Sequence, residues 1–418
     1  MELQTDQQLD RKSAPSSETP TRVLRWTSAL GGRTTARALR ESARGRPDVT
    51  TCPLRARSGR MPQLAPLLPS ACSKLPLRNA STLCTGPSAA RGKGGERLLP
   101  ALMLIGSIKT GSSSLWSVLV DYTDGVVLSG GTTHKGEISR KEKDFFGDPA
   151  QWRLGRGWYE RIWPRCPRRP GVIRIGIDAT PAYHVWHDAP KNMAMFFGAR
   201  LPALRLVWML REPVDKFWSY FWELKSYRGE WDNVSFDGFV APKHARAAAC
   251  LKRDAAAPLW PPSLPPPFDS CAPHLDHGLF HPQLLRWLQF FDPSQLLFVL
   301  FAGYVAQPAQ VVRDVLLHAG APIATAERAS QAAATRKMHR KMLNSRSRGH
   351  GTMPARWWRL LRELYAPSVE RLYAVVSARR IAVSPCELAG TRFLDPSNET
   401  IAAMGRGWSK SVHSSQGA

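Results

Sequence analysis

Short, largely apolar runs recur along the chain at Ala101–Ile105, Val172–Ile177, Leu204–Leu210 and Leu296–Phe301. The first is unbroken and is stopped by Gly106. A run of this length without alternating polar positions is the pattern of a strand covered on both faces, as in a parallel sheet. Apolar positions return at helical spacing near Ser113–Val120, Asp215–Lys225, Pro282–Phe291, Ala309–His318 and Pro354–Arg379. Strands alternating with helices predict an α/β domain over about residues 98–385, with a central parallel sheet flanked by helices.

The remaining segments carry neither period. Residues 1–96 are rich in Arg, Ser, Thr, Pro and Ala, and basic residues well outnumber acidic ones there. This stretch reads as a disordered basic N-terminal region, either a solvated tail or a targeting or tethering arm. A Pro-rich insertion at about 255–273 belongs to neither sheet nor helix interior, and 386–418 reads as a C-terminal tail. No apolar run reaches the roughly eighteen residues of a membrane span, and the first thirty residues lack a signal-like apolar stretch, so no membrane anchor is visible.

Composition adds a core and a partner class. With 418 residues, 43% of them hydrophobic, the chain can bury a full core. A net charge of +25 calls for an anionic partner: nucleic acid, phosphorylated nucleotide, acidic polysaccharide or membrane surface. Seven cysteines include no C-x-x-C pair and no histidine at zinc-finger spacing, so no metal is expected. Cys250 and Cys271 bracket the insertion and could close it in an oxidising compartment, or remain thiols. Asn79, Asn233 and Asn398 stand in N-x-Ser/Thr triplets, which favours a secretory route.

Directly after the first run comes Gly106-Ser107-Ile108-Lys109-Thr110-Gly111-Ser112-Ser113-Ser114, and the next apolar positions fall at helical spacing. A strand, a loop of small residues and a helix start let backbone amides approach an anion, with Lys109 adding a full positive charge. This is not a Walker A box, which places its lysine after the second glycine, whereas Lys109 precedes Gly111. A second constellation follows the third run. Arg211-Glu212-Pro213 ends the predicted strand and starts a helix, and Ser219 lies about two turns into it. An arginine at a strand terminus and a hydroxyl on the next helix can converge on one phosphate.

The Lys-x-Gly-[Ser/Thr] loop resembles the 5′-phosphosulfate loop of sulfotransferases that use 3′-phosphoadenosine-5′-phosphosulfate (PAPS). Arg-[Asp/Glu]-Pro with serine eight residues after the arginine resembles their 3′-phosphate site. Between the two lie Lys141-Glu142-Lys143-Asp144-Phe145-Phe146, Gly157-Trp158-Tyr159 and Asp178-Ala179-Thr180-Pro181-Ala182-Tyr183. These are similar to successive segments of the heparan sulfate sulfotransferases, as are Gly278-Leu279-Phe280-His281 and Leu361–Pro367 further on. Arg346-Ser347-Arg348-Gly349-His350 resembles that family's nucleotide loop more loosely.

The resemblance implies a P-loop-NTPase-like sulfotransferase fold and transfer of sulfonate from PAPS to a hydroxyl or amine of a carbohydrate, with PAP as product. The acceptor would be an acidic or neutral glycan, a glycosaminoglycan such as heparan sulfate fitting best. Lys109, Thr110, Gly111, Ser112, Ser113, Ser114, Arg211, Ser219, Arg346, Arg348, Gly349 and His350 would hold the donor. Glu142 would act as base with Lys109 as the charge-stabilising group, and Lys141, Asp144, Asp178, Thr180 and Tyr183 would meet the acceptor. Family members usually sit in the Golgi, so the same compartment is implied.

Two departures bear on the acceptor. Ala179 stands where the family's 3-O-sulfotransferases carry lysine, and Asp144 where they carry histidine. A homologue that binds PAPS or PAP without turnover is therefore one alternative. A basic nucleic-acid-binding protein is another, disfavoured because much of the charge falls in the N-terminal region and the tryptophans follow no RNA-binding motif. A kinase is disfavoured by the displaced lysine.

Overall fold

The computed structural model describes residues 83–85, 95–134, 137–139, 141–167, 172–226, 233–255, 274–335, 353–385 and 394. All belong to one unit, Val49–Ala418. Strand β1 (Pro100–Gly106) is buried at every position, as its apolar run requires. Helix α1 (Ser112–Asp121) follows, turning Leu115, Val118 and Leu119 inward at the predicted spacing. Next come β2 (Val127–Ser129), the antiparallel pair β3 (Thr132–His134) and β4 (Glu137–Ser139), and the short helices α2 (Pro149–Trp152) and α3 (Gly155–Arg161). Strand β5 (Ile175–Ala179) leads through α4 (Ala189–Phe197) to β6 (Arg205–Leu210), α5 (Pro213–Ser226) and α6 (Phe236–Ala255). The chain continues through α7 (Phe280–Trp287), β7 (Leu296–Leu300), α8 (Phe301–Ala306), α9 (Pro308–His318), α10 (Ile323–Thr335), α11 (Ala355–Arg379) and β8 (Ala382–Ser384).

The six main strands form one parallel sheet in the order β2-β5-β1-β6-β7-β8, flanked by the helices. Leu104 of β1 stands opposite Ala179 on one side and Val207 on the other. The chain thus builds the sheet to one side of β1 and then returns to build the other. In open α/β sheets this reversal opens a crevice at the carboxyl ends of the central strands, the usual place for a ligand.

Strand β5 runs from Ile175 to Ala179, later than its expected span of Val172–Ile177. It continues through Asp178 because that carboxylate finds hydrogen-bond donors inside the protein. Phe301, expected to end β7, instead opens α8. Phe145 and Phe146 are fully buried, and Phe145 stacks on Tyr159 with ring centroids 4.4 Å apart. A second apolar cluster joins Phe217 and Phe221 of α5 to Phe236 and Phe239 of α6 and to Trp357, Leu361 and Tyr365 of α11. It fixes the outer face of α5, the helix that follows Arg211.

Order also reaches into the span expected to be disordered. The Leu99 amide donates to the Leu83 carbonyl (2.6 Å) and the Thr85 amide to the Arg97 carbonyl (2.8 Å). On the other flank the Leu98 amide donates to the Pro164 carbonyl (2.8 Å) and the Cys166 amide to that of Glu96 (3.0 Å). These two flanks bring Cys84 and Cys166 to a Cα separation of 6.1 Å, where they form a disulfide. Cys271 and residues 256–273 lie outside the described residues, as do the remainder of 1–96 apart from 83–85 and 95–96 and all of 386–418 apart from Leu394.

A bond closing a loop 82 residues long restricts the unfolded chain substantially. Cys84→Ser should therefore cost about 2–4 kcal/mol in urea unfolding of the oxidised protein, and the difference should vanish under reductant. Non-reducing peptide mapping should recover a Cys84–Cys166 linked pair.

Candidate active site

Loop 107–111 leaves β1 at the carboxyl edge of the sheet. Its path is set from below: the Ser107 amide donates to the Met209 carbonyl (2.8 Å) and Trp208 Nε1 to Ser107 Oγ (3.1 Å). Thr110 Oγ1 closes the turn onto the Ser107 carbonyl (2.6 Å). Lys109 and Gly111 both take the left-handed conformation, with φ 63° and 82°. A Cβ at Gly111 would also lie 3.3 Å from the Phe301 ring. Gly111 precedes α1, and no side chain caps that helix. The first-turn amides of Ser112, Ser113 and Ser114 and the helix dipole therefore present positive potential at the loop. Ser114 Oγ is 2.9 Å from the Tyr304 hydroxyl, which sets α1 against α8.

Arg211 closes β6, the neighbour of β1. Its Nη1 donates to the Lys109 carbonyl (3.2 Å), and its guanidinium lies 4.8 Å from the centroid of the Phe301 ring. The two segments that the sequence suggests as anion sites are therefore in contact. Ser219 lies on α5 and is buried. The Lys109 ammonium meets Glu223 Oε1 at 3.1 Å, a partner that the motifs do not include. Glu223 stands four residues after Ser219, so helical spacing from the expected site residue points to it.

The segment beginning at Lys141 runs beside the carboxyl end of β5. The Glu142 amide donates to the Ala179 carbonyl (2.9 Å) and the Lys143 amide to Thr180 Oγ1 (3.0 Å). Glu142 and Asp144 both have φ 58°, an uncommon backbone for non-glycine residues. Lys143 is buried, donating to the Gly130 carbonyl (2.9 Å) beside the Trp163 ring, and Phe145 and Phe146 anchor the segment in the core. Glu142 stays 59% exposed and pairs with Lys141. Burial pushes the Asp144 carboxyl up to about 7, with the nearby Glu142, Asp178 and Asp148 adding to the effect.

Asp178, Thr180 and Tyr183, expected to meet the acceptor, are instead fully buried. Asp178 Oδ2 accepts from the Tyr159 hydroxyl (2.6 Å) and the Tyr183 hydroxyl (3.1 Å), and its Oδ1 accepts from Thr180 Oγ1 (2.8 Å). Burial and this carboxylate hold both phenols well above their usual range. The three residues form a scaffold beneath Glu142 and Asp144. Arg346, Arg348, Gly349 and His350 lie outside the described residues.

A further polar group lies behind α5. Lys216 is buried and donates to the His277 carbonyl (2.9 Å), and burial brings its ammonium down to about 7. His184, which packs beneath the loop, has Nδ1 2.6 Å from the Pro181 carbonyl, and burial depresses its pKa. A Cβ on Gly106 would come within 2.7 Å of His184, so glycine at the end of β1 lets the histidine close.

No protein-family model matches the chain. Over 221 residues it is 25% identical to mouse heparan sulfate glucosamine 3-O-sulfotransferase 3B1, covering 53% of this chain and 46% of that protein. Over 225 residues it is 24% identical to human bifunctional heparan sulfate N-deacetylase/N-sulfotransferase 3, covering 52% and 22%. The chain thus spans less than half the length of either relative. Among solved structures it is similar to a sulfotransferase from Alicyclobacillus acidocaldarius at 20% identity, with a TM-score of 0.44, covering 68% of this chain and 99% of that one. The chain is distantly similar to sulfotransferases.

Asp178→Ala leaves three buried hydroxyls without their acceptor, and should cost about 3 kcal/mol or more in urea unfolding. Asp144 has the opposite linkage sign to a salt-bridged acid. With its folded pKa near 7 and its ordinary value at 3.8, the folded chain holds more protons across that window, and stability falls as pH rises through it. Asp144→Asn should remove this loss, becoming more stable relative to the parent between pH 5 and pH 8. A difference that stays flat across that range would contradict the burial argument.

Proposed function

We propose that the chain is a sulfotransferase that moves a sulfonate group from PAPS to a hydroxyl or amine of a carbohydrate. The observation that carries this reading is the contact between Arg211 and the backbone of Lys109 (3.2 Å) at the reversal point of the sheet. Two cationic groups and an uncapped helix start converge there, which suits a nucleotide charged at both ends. The order of the motifs and the distant similarity to heparan sulfate sulfotransferases support it.

In this reading the amides of Thr110 to Ser114 and the Lys109 ammonium hold the phosphosulfate end, and Arg211 with Ser219 holds the 3′-phosphate. Glu142 is the base: it is exposed, anchored by its amide to Ala179, and carried on a segment pinned by Phe145 and Phe146. Its carboxylate takes the proton of the attacking hydroxyl or amine as the new bond to sulfur forms. Lys109 and the start of α1 stabilise the negative charge that develops on the leaving phosphate. Lys141 and Asp144, beside Glu142, face the acceptor. Arg346, Arg348, Gly349 and His350 add to the nucleotide site, PAP is the product, and no metal takes part.

A glycosaminoglycan such as heparan sulfate is the acceptor the relatives suggest, while Ala179 leaves the position sulfated open. The Cys84–Cys166 disulfide and the exposed Asn233 in its N-x-Ser triplet favour an oxidising, glycosylating compartment, with the Golgi as the proposed site. No helix among the described residues is long and apolar enough to cross a membrane.

Calorimetry with PAP tests the donor site, and Arg211→Ala should weaken binding at least ten-fold by removing a charge-assisted contact of about 1.5–3 kcal/mol. Labelled PAPS offered with a panel of glycans tests transfer. Glu142→Gln should lower the rate about 10²–10⁴-fold while leaving PAP affinity within two-fold. Salt-sensitive RNA binding in the absence of any heat with PAP would favour the nucleic-acid reading instead.

A further inference from the structure

Lys109 is held twice by one strand and helix. Its carbonyl accepts from Arg211 at the end of β6, and its ammonium meets Glu223 in the last part of α5. The ion pair is well shielded, with the lysine side chain 7% and the glutamate 21% exposed. Water therefore screens it less than an ordinary surface pair. Glu223 also has little freedom to follow the lysine elsewhere, because Phe217 and Phe221 pack α5 against Phe236 and Phe239.

We propose that Glu223 holds Lys109 in the donor-free protein and makes the loop selective for a nucleotide phosphorylated at both ends. The inference rests on the donor-binding reading above. An ammonium at the loop with no partner would attract any phosphate. With Glu223 in place, an anion must first take Lys109 from its carboxylate. A ligand that also engages Arg211 has a second contact to offset this loss. A singly phosphorylated nucleotide or inorganic phosphate does not. Both holds on Lys109 belong to the same β6–α5 unit, so Glu223 acts on the donor through the lysine and is a positioning residue.

The test is calorimetry with PAP and with adenosine 5′-monophosphate on the parent chain, Glu223→Gln, Glu223→Ala and the same changes in a Lys109→Gln background. Both Glu223 variants should bind PAP about three- to ten-fold more tightly. The monophosphate, with no second contact to offset the loss, should gain more than PAP, so that discrimination between the two nucleotides shrinks. In the Lys109→Gln background the gain should disappear, since the effect passes through the ammonium. A second measurement needs no ligand: acylation of Lys109 in the donor-free protein, followed by mass spectrometry, should run faster in Glu223→Gln.

A variant that binds PAP no more tightly than the parent overturns the inference while leaving the donor reading intact. So does a gain that persists without the lysine, because the carboxylate would then act as a bare repelling charge. Unchanged Lys109 acylation overturns it as well. A parent chain that takes up no PAP overturns the donor reading and this inference together.

Discussion

The hydrogen bond from Arg211 to the Lys109 carbonyl unites two loops separated by 102 residues, and the remaining features of the site are arranged around it. It exists because β1 and β6 are neighbours in a parallel sheet and both end at the same edge. A guanidinium at that edge is partly buried, and its desolvation lowers its pKa, so it needs acceptors. The Lys109 carbonyl supplies one, and the face of the Phe301 ring gives a further favourable surface for the charge. The same ring lies against Gly111. One aromatic at the start of α8 therefore shapes both the loop and the arginine.

On the other side of β1 the organising group is Asp178. A carboxylate inside a strand is costly unless its lone pairs are satisfied, and here three hydroxyls meet it. Those hydroxyls come from α3, from the residue just after β5 and from the turn at Pro181–His184. The network thus ties three chain segments together immediately beneath Glu142 and Asp144. Proximity to this buried charge also contributes to raising the Asp144 pKa. Asp144 thus feels both the buried scaffold carboxylate and Glu142, whose side chain is the one that reaches solvent substantially.

The parallel sheet and the two segments that meet at its carboxyl edge were legible because each rests on a local signal: an unbroken apolar run, a string of small residues, a proline at a helix start. Strands β2 and β8 have three residues each, too few to show a period. The Cys84–Cys166 bond joins residues 82 positions apart, and spacing alone does not specify connectivity. Asp178 looked like an acceptor contact because a carboxylate near a substrate segment and a carboxylate buried among tyrosines read identically in one dimension. Only burial separates the two roles. Helical spacing from Ser219 leads to Glu223, but its pairing with Lys109 was hidden, since that is set by how α5 lies beside the loop after β1 and no motif spans that distance.

Charge pairing within the described residues shapes how such a site would bind. The chain as a whole is strongly basic, yet Lys109 is matched by Glu223 and Lys141 by Glu142. The formal charge of +25 is therefore partly offset locally, where these two lysines are already engaged. An anion arriving at the loop gains less from these lysines than their formal charge suggests, because each contact replaces one that existed before. What it gains without such exchange comes from the α1 amides, which no side chain caps. In the proposed reading the backbone is the preorganised part of the site and the lysines its adjustable part, which suits a loop of glycine and small hydroxyl residues whose amides a ligand could approach closely.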